Sequence, residues 1–247
     1  MIDRAALPWR RRHATGLVRT LSRHLEHLQE VAAHGSPRTT KLCDRTKERL
    51  TQGAVLSSAV AADQTVTETI VLVRHGEKPA LGLGQLNCQG LNRALALPAV
   101  IGKQFGRPDA IFAPDPAQSK EDYGHPYNYV RPLATIEPTA IAFGLPIDAS
   151  IGVSNLDALR QKLESPAYRS ALLVVAWEHV DIAKLARLLM ADHGGDPSVV
   201  PDWQGGDFDR IYVVRITHTG TASAVAFGQR QEGLDGQPTA CPGQPPR

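Results

Sequence analysis

The amino-acid sequence predicts an α/β fold, a three-layer sandwich in which a largely parallel central sheet is flanked by helices. Two short, unbroken apolar runs, 69–73 and 171–176, have the composition of strands buried on both faces. Each run is followed by a segment with the apolar spacing of an amphipathic helix. Strands that alternate with helices favour parallel pairing, because each helix serves as the crossover to the next strand.

The remaining predicted elements continue this alternation and have recognisable ends. Asn87 suits the N-cap of a helix, Pro132 suits a first helical turn, and Gly144 suits a helix end. Pro98 is expected to kink or split the helix that contains it. The further predicted elements are helices 87–105, 132–143, 155–164 and 180–193, and strands 109–113, 210–216 and 223–227.

Charge and composition divide the 247 residues into three parts. Residues 1–62 hold 11 Lys/Arg against 5 Asp/Glu, whereas the rest holds 16 against 20, although the net charge is only +2. Such asymmetry indicates an appended segment. We predict a basic N-terminal extension over 1–66, a folded domain over 67–230, and a proline-rich disordered tail over 231–247.

The extension leaves two interpretations open. Residues 14–34 have helical spacing, and the favoured interpretation is a solvated helix that binds no nucleic acid. Residues 47–62 combine two basic residues, a weakly apolar stretch and a small-residue cleavage pattern, so they are either a signal sequence or a linker. The protein is periplasmic or secreted in the first case and cytoplasmic in the second. No apolar run approaches the ~18 residues of an integral membrane segment.

The cysteines and histidines predict neither a disulfide framework nor a metal site. Cys43, Cys88 and Cys241 are an odd number of cysteines and lie far apart, so Cys88 is interpreted as a buried thiol. Outside the candidate site, His125, His193 and His218 have no carboxylate or histidine partner at ligand spacing in the sequence. We therefore expect no metal and no cofactor.

The strongest chemical signal is Arg74-His75-Gly76, which directly follows the first predicted strand. Ligands of open α/β sheets bind beyond the carboxyl ends of the strands, so His75 can face a ligand there. The guanidinium of Arg74 matches phosphate oxygens, and Gly76 allows the backbone to approach an anion closely.

Residues 71–77, which read Val-Leu-Val-Arg-His-Gly-Glu, resemble the signature of the histidine phosphatase superfamily, which includes the phosphoglycerate mutases. Three further segments resemble motifs of that family in the family's order. They are Leu86-Asn87-x-x-Gly90-x-x-Arg93-Ala94, Arg131-x-x-x-Thr135, and His179 after the strand 171–176. The resemblance covers roughly residues 68–216 and implies that 67–230 is a catalytic domain of this type.

The resemblance also implies the roles of particular residues. His75 is expected to be the nucleophile that carries the phosphoryl group, and Arg74, Arg131 and His179 are expected to hold its oxygens. Asn87 is a further candidate for substrate binding. No metal or cofactor is required, because guanidinium and imidazole groups supply the positive charge.

The sequence departs from the family pattern at two points. Val180 stands where the family usually has glycine after its second histidine, and no carboxylate matches the family's general acid. Glu178 is the first candidate for that acid and Glu137 the second. Residues 114–130 form an unusual insertion, which either lines the substrate entrance or is an ordinary ordered loop.

Three functions follow from these observations. The first is a phosphoric monoester hydrolase that acts on a phosphorylated small molecule or a phosphoprotein. The second is a mutase-type phosphotransferase that uses the same His75. The third is a non-catalytic phosphate-binding scaffold. The substrate and the oligomeric state are left open.

Overall fold

The computed structural model describes residues 64–243, and it confirms the predicted α/β sandwich. The strands are β1 (Thr65–Arg74), β2 (Ala110–Pro114), β3 (Ser119–Asp122), β4 (His125–Asn128), β5 (Ile147–Ile151), β6 (Leu172–Trp177), β7 (Arg210–Thr219) and β8 (Ala222–Gln231). The helices are α1 (Cys88–Gln104), α2 (Arg131–Phe143), α3 (Leu156–Leu163) and α4 (His179–Asp192).

The main sheet has six strands in the order β5-β2-β6-β1-β7-β8. β1 pairs in parallel with β6, and β2 pairs in parallel with both β5 and β6. β7 and β8 extend the sheet in antiparallel fashion beyond β1. The parallel strands β1 and β6 end side by side, with Arg74 opposite Trp177. The residues that follow these two strands are therefore brought to one edge of the sheet.

The core lies on both faces of the sheet, which makes three layers. Ile70 and Leu72 of β1 join one apolar cluster, whereas Val71 and Val73 join the other, and all four are fully buried. Helices α3 and α4 pack into the first cluster, and α1 and α2 pack into the second. This alternation explains why the run 69–73 is apolar at every position.

The predicted helix ends are confirmed. The side chain of Asn87 accepts a hydrogen bond from the backbone N–H of Gly90 at 2.8 Å, as an N-cap does. Pro132 lies in the first turn of α2, and Gly144 ends that helix with φ of 62° in the left-handed region. α1 is not divided at Pro98, which lies inside the helix.

The structure contains two features that the sequence patterns did not predict. β5 is a short strand at the edge of the sheet, and its sequence Ile-Asp-Ala-Ser-Ile is too polar to be recognised as one. β3 and β4 form an antiparallel hairpin within the insertion 114–130. Its two-residue turn has positive φ at both Tyr123 and Gly124, as tight hairpin turns require.

The C-terminal segment is ordered as far as residue 243, so the prediction of a disordered tail from Gln231 is wrong over this range. Gln231 itself ends β8, and the following Glu232 forms a buried ion pair with Arg93 at 2.7 Å. Leu234 is buried within the apolar cluster under α1 and α2. The proline content predicts disorder, and the ion pair with Arg93, which lies 139 positions away, is not visible in a local pattern. Residues 244–247 lie outside the described range.

A disulfide joins Cys88 to Cys241, so the interpretation of Cys88 as a buried free thiol is also wrong. The two cysteines are 153 positions apart, and their proximity depends on the path of the C-terminal segment. The predicted extension 1–66 lies outside the described residues except for 64–66, and Thr65 already belongs to β1. Within residues 64–243, no helix combines the length and apolar character needed to cross a bilayer.

Candidate active site

His75 and His179 are brought together by the parallel pairing of β1 and β6. The backbone N–H of His75 donates to the carbonyl of Trp177 at 3.1 Å, directly beyond the paired strand ends. Glu178 and His179 follow at the same edge, and His179 is the first residue of α4. The expectation that both histidines follow parallel strands is therefore met by the fold.

The imidazole of His75 is buried, with 3% exposure, and has a defined tautomer. Its Nδ1 lies 2.8 Å from the carbonyl oxygen of Gly76, which can only accept, so Nδ1 carries the proton and Nε2 keeps its lone pair. Burial lowers the pKa of His75 to about 3; the hydrogen bond to Gly76 opposes this shift, and the charges of Arg131 and Arg74 add to it. The ring is therefore neutral at pH 7, as a nucleophile must be.

Arg74 is held by backbone carbonyls and not by carboxylates. Its Nη1 donates to the carbonyls of Gly205 at 2.8 Å and Asp207 at 2.9 Å. The guanidinium also stacks on Phe208, with its central carbon 3.9 Å from the ring centroid. Burial lowers the pKa of Arg74 to about 10, which still leaves it protonated at neutral pH. The loop before β7 thus holds this arginine without neutralising its charge.

Arg131 begins α2 on the other side of His75 and is also buried, with 3% exposure. Its Nη1 forms an ion pair with Asp122 of the hairpin. Its guanidinium lies over the ring of Tyr129 at 4.7 Å, and the edge of that ring meets His75 with 6.0 Å between centroids. Tyr129 is 1% exposed, so one residue of the insertion does line the site.

His179 and Glu178 act as a pair. A carboxylate oxygen of Glu178 contacts Nδ1 of His179, and the other accepts from the N–H groups of Val180 and Asp181 as the N-cap of α4. Burial acts to raise the pKa of Glu178, but the interaction with His179 and the charge of Lys120 outweigh it and lower the pKa to about 2. Glu178 is thus ionised near neutral pH, and a carboxylate in that state cannot donate a proton. Glu137, the second candidate acid, is exposed on α2.

Asn87 and Gly76 have local structural partners. The side chain of Asn87 caps α1 through its oxygen and donates to the carbonyl of Lys78 at 3.2 Å, so both of its polar atoms are engaged. The N–H of Gly76 donates to the hydroxyl of Thr135 at 2.9 Å. A Cβ at Gly76 would lie 2.9 Å from Cα of Gly90, so the residue must be small to let the loop pack on α1. Neither group is free for an anion in this arrangement.

Buried donors without partners surround His75. Nε of Arg74, Nε of Arg131 and the hydroxyl of Tyr129 are all buried, and none has a hydrogen-bond partner within residues 64–243. Buried donors of this kind are costly unless they meet an acceptor. Two guanidinium groups and a hydroxyl around one neutral imidazole form a site that favours an anion with several oxygens.

A third buried arginine, Arg93, links the loop that follows His75 to the segment that follows the partners of Arg74. Its guanidinium binds Glu77, two residues after His75, at 2.8 Å and Asp209, after the loop that holds Arg74, at 3.3 Å. Glu232 and Asp235 complete its set of four carboxylates. The sequence showed Arg93 only as a motif position. No local pattern marks the partners of Arg93, which lie 16 to 142 positions away, or Asp122, which lies nine positions before Arg131 in an insertion.

Within residues 64–243, no three His, Cys, Asp or Glu side chains are grouped so as to hold a metal ion. No protein-family model matches the chain. A search of curated proteins also found no match.

Several solved structures are similar at low identity. A protein from Nakamurella multipartitia described as the phosphohistidine phosphatase SixA is 13% identical, with 65% of this chain and 94% of that chain covered and a TM-score of 0.45. Its counterpart from Agrobacterium tumefaciens is 15% identical, with 65% and 96% covered and a TM-score of 0.42. A mycobacterial glucosyl-3-phosphoglycerate phosphatase with inorganic phosphate is 15% identical, with 65% and 95% covered and a TM-score of 0.42. These similarities are too distant to carry a functional argument.

Proposed function

We propose that this protein is a phosphoric monoester hydrolase of the histidine phosphatase type, which acts through a phosphohistidine on His75. The observation that supports the proposal is the environment of His75, a buried neutral imidazole whose Nε2 keeps its lone pair and whose neighbours include the buried guanidinium groups of Arg74 and Arg131. This arrangement suits an attack on phosphorus, because the transferring group spreads negative charge over its equatorial oxygens.

The reaction has two steps. Nε2 of His75 attacks phosphorus, a nitrogen–phosphorus bond forms, and the bond from phosphorus to the leaving oxygen breaks. Water then attacks the phosphohistidine, the nitrogen–phosphorus bond breaks, and inorganic phosphate leaves with His75 neutral again after one proton passes to solvent. Arg74, Arg131 and His179 are assigned to the phosphoryl oxygens, and Tyr129 is added to them.

Glu178 enters this proposal as a positioning residue and not as the general acid. It is ionised, and its carboxylate contacts Nδ1 of His179, so its role here is to orient that ring. An aryl phosphate is the suitable first substrate, because an aryl oxide leaves as an anion and needs no acid. Asn87 likewise enters as the cap that fixes the loop between β1 and α1.

Trapping of the covalent intermediate tests the proposal. Brief incubation with a ³²P-labelled phosphomonoester and an alkaline quench should leave a label that is stable to base and lost in acid. His75→Ala should remove both the label and the hydrolysis of p-nitrophenyl phosphate. His125→Ala, at an exposed position of the hairpin, is the matched control and should retain both. A chelator should leave the rate unchanged, since the proposed chemistry uses no metal.

The outcomes separate the candidate functions. Full labelling of the His75→Ala protein would rule out the assigned nucleophile. If the wild type binds vanadate but neither becomes labelled nor hydrolyses any phosphomonoester, the protein is a phosphate-binding scaffold. Loss of activity in chelator that added divalent ions restore would contradict the metal-free chemistry.

A phosphotransferase is the second candidate, and the burial of His75 favours it. A donor phosphoryl group on a residue that is 3% exposed is protected from water, as a mutase requires. Hydrolysis in the presence of a high concentration of glycerol distinguishes the two. A hydrolase should release one phosphate for each aryl alcohol, whereas a transferase should release less phosphate and form the phosphorylated acceptor.

A further inference from the structure

Asp122 lies at the end of β3, on the hairpin that the sequence shows only as an insertion. Its carboxylate is 6% exposed and takes donors from two other segments. Lys78 donates to Oδ1 at 2.9 Å, and the N–H of Gly84 donates to Oδ2 at 3.3 Å. Arg131 makes its ion pair with the same Oδ2. One carboxylate therefore joins the hairpin, the loop after His75 and the first residue of α2.

The loop after His75 is shaped to receive this carboxylate. Gly82 has φ of 73°, and a Cβ built there would overlap the carboxyl group of Asp122. The carbonyl of Gly84 accepts from the backbone N–H groups of Val130 and Arg131 at 3.0 and 3.1 Å. The loop therefore contacts Asp122 through Gly82 and the start of α2 through Gly84.

The contact with Asp122 uses only one corner of the Arg131 guanidinium. Nη1 is the nitrogen that meets Asp122 and, at 3.5 Å, the carbonyl of Gly82. The edge formed by Nε and Nη2 makes no hydrogen bond within residues 64–243, and Nε is buried. That edge is the one that matches two oxygens of a phosphoryl group. Anchoring Nη1 fixes the direction of this edge before a substrate arrives, which removes an ordering cost from the reaction.

We propose that Asp122 is the positioning residue for Arg131. Through Asp122, the β3–β4 hairpin contributes to the phosphoryl site. The proposal rests on the proposed function, since it assigns Arg131 to the transferring group. Asp122 touches neither His75 nor the reacting atoms. Its effect passes through the orientation of one guanidinium.

Asp122→Ala tests the proposal, with Glu121→Ala as the matched control. Glu121 is the neighbouring residue of the same strand, is exposed, and has no ion pair within the described part of the chain. Asp122→Ala should weaken inhibition by vanadate about 10–100-fold and lower kcat for p-nitrophenyl phosphate by a similar factor, the size of effect seen when supporting residues of a site are removed. Glu121→Ala should match the wild type in both measurements.

A double-mutant cycle separates positioning from a general structural effect. If Asp122 acts through Arg131, then Asp122→Ala should add little to the loss of vanadate affinity already caused by Arg131→Ala, a change that also removes the contact with Asp122. Additive losses would show that Asp122 acts by another route, and they would overturn the proposal. Should Asp122→Ala not fold, Asp122→Asn keeps the shape and one acceptor, and the same cycle is run with that variant.

The failures of the two proposals are distinguishable. An active wild type whose Asp122 variants retain wild-type vanadate affinity refutes the role of Asp122 and leaves the hydrolase intact. A wild type that neither binds vanadate nor hydrolyses phosphomonoesters refutes both.

Discussion

Arg93 and Arg131 are equally buried, but their surroundings differ in charge. Arg93 is 1% exposed and binds four carboxylates, of which only Asp235 is well exposed. Arg131 is 3% exposed and meets the single carboxylate of Asp122. Arg74, across the site, has only backbone carbonyls as hydrogen-bond partners. The carboxylates around Arg93 therefore outnumber its single positive charge. Arg131 and Arg74 meet fewer carboxylates, so positive charge remains around His75.

This difference separates arginines that hold the fold from arginines that can bind a ligand. A buried arginine whose donors are all taken by carboxylates has nothing left for a substrate. Arg74 and Arg131 each keep a buried Nε without a partner among the described residues, and both lie beside His75. Burial alone does not distinguish the two roles, but the fate of the five donors of each guanidinium does.

The largest expected effect is on catalysis, at Arg131. Arg131→Lys should reduce kcat/KM for p-nitrophenyl phosphate by about 100–1000-fold, because an ammonium cannot reproduce a two-oxygen fork. The free energy of unfolding should change little, since the lysine ammonium can still meet Asp122. Steady-state kinetics and urea unfolding measure the two quantities. Arg160→Lys, in a surface ion pair with Asp192, is the control and should leave the rate unchanged.

Near-normal turnover by Arg131→Lys would mean that Arg131 does not hold the phosphoryl group. The contrast with Arg93 would then not identify Arg131 as a ligand-binding arginine. The match of Arg131-x-x-x-Thr135 to the family motif would be fortuitous.

The opposite pattern is expected at Arg93. Arg93→Met should lower the free energy of unfolding by about 3–5 kcal/mol, because it leaves buried carboxylates without their cation. The control is Arg160→Met, which breaks pairs at the surface and should cost about 1 kcal/mol or less. Urea unfolding provides the measurement. A loss at Arg93 no greater than that at Arg160 would show that the carboxylate cluster does not stabilise the fold.

The disulfide should have a smaller effect on the same region. Reduction of Cys88–Cys241, or the double change to serine, should lower the free energy of unfolding by about 2–4 kcal/mol. The rate of the folded protein should be nearly unchanged, since no contact of Arg74, His75 or Arg131 comes from residues 232–243. Thermal unfolding with and without reductant in a Cys43→Ser background measures this. A double-serine variant that still responds to reductant would refute the assignment.

Local sequence patterns were sufficient to predict which strands place His75 and His179 at the edge of the sheet. The apolar run 69–73 and the following Arg-His-Gly predicted a strand that delivers His75 to a ligand, and the run 171–176 did the same for His179. Both predictions depend on the rule that parallel strands end at one edge, and they need no knowledge of side-chain contacts. The helix ends at Asn87 and Gly144 were also predictable, because helix caps depend on residues that are close in sequence.

The parts that the sequence did not predict depend on side-chain contacts that no local pattern marks. The sequence predicts a buried thiol at Cys88, because a local pattern does not show the path of the C-terminal segment that brings Cys241 to it. Asp122 was one acid among several in an insertion, and only the fold places it on Arg131. Glu178 is predicted as a candidate acid from its place beside His179, and only the structure shows that its carboxylate also caps α4 and contacts Nδ1 of His179.

The smallest expected effect is the dependence of stability on pH, and it tests the state of His75 directly. An unfolded histidine has a pKa near 6.5, whereas burial lowers the pKa of His75 in the fold to about 3. As pH falls from 7 to 5, the unfolded chain therefore takes up a proton that the folded chain does not. Because the unfolded state binds more protons, the folded state loses stability as pH falls, by about 2 kcal/mol over this range.

His75→Asn isolates this contribution, since an amide can still donate to the carbonyl of Gly76 but cannot titrate. Glu68 and Glu232, whose pKa values burial raises to about 8, are present in both proteins, so their effects cancel in the difference. Urea unfolding at pH 5, 6 and 7 should show the stability of the wild type falling relative to that of His75→Asn as pH decreases. Parallel curves for the wild type and His75→Asn would mean that His75 takes up its proton as readily in the fold as in the unfolded chain. Its imidazole would then not be the buried neutral nucleophile that the proposed reaction requires beside Arg74 and Arg131.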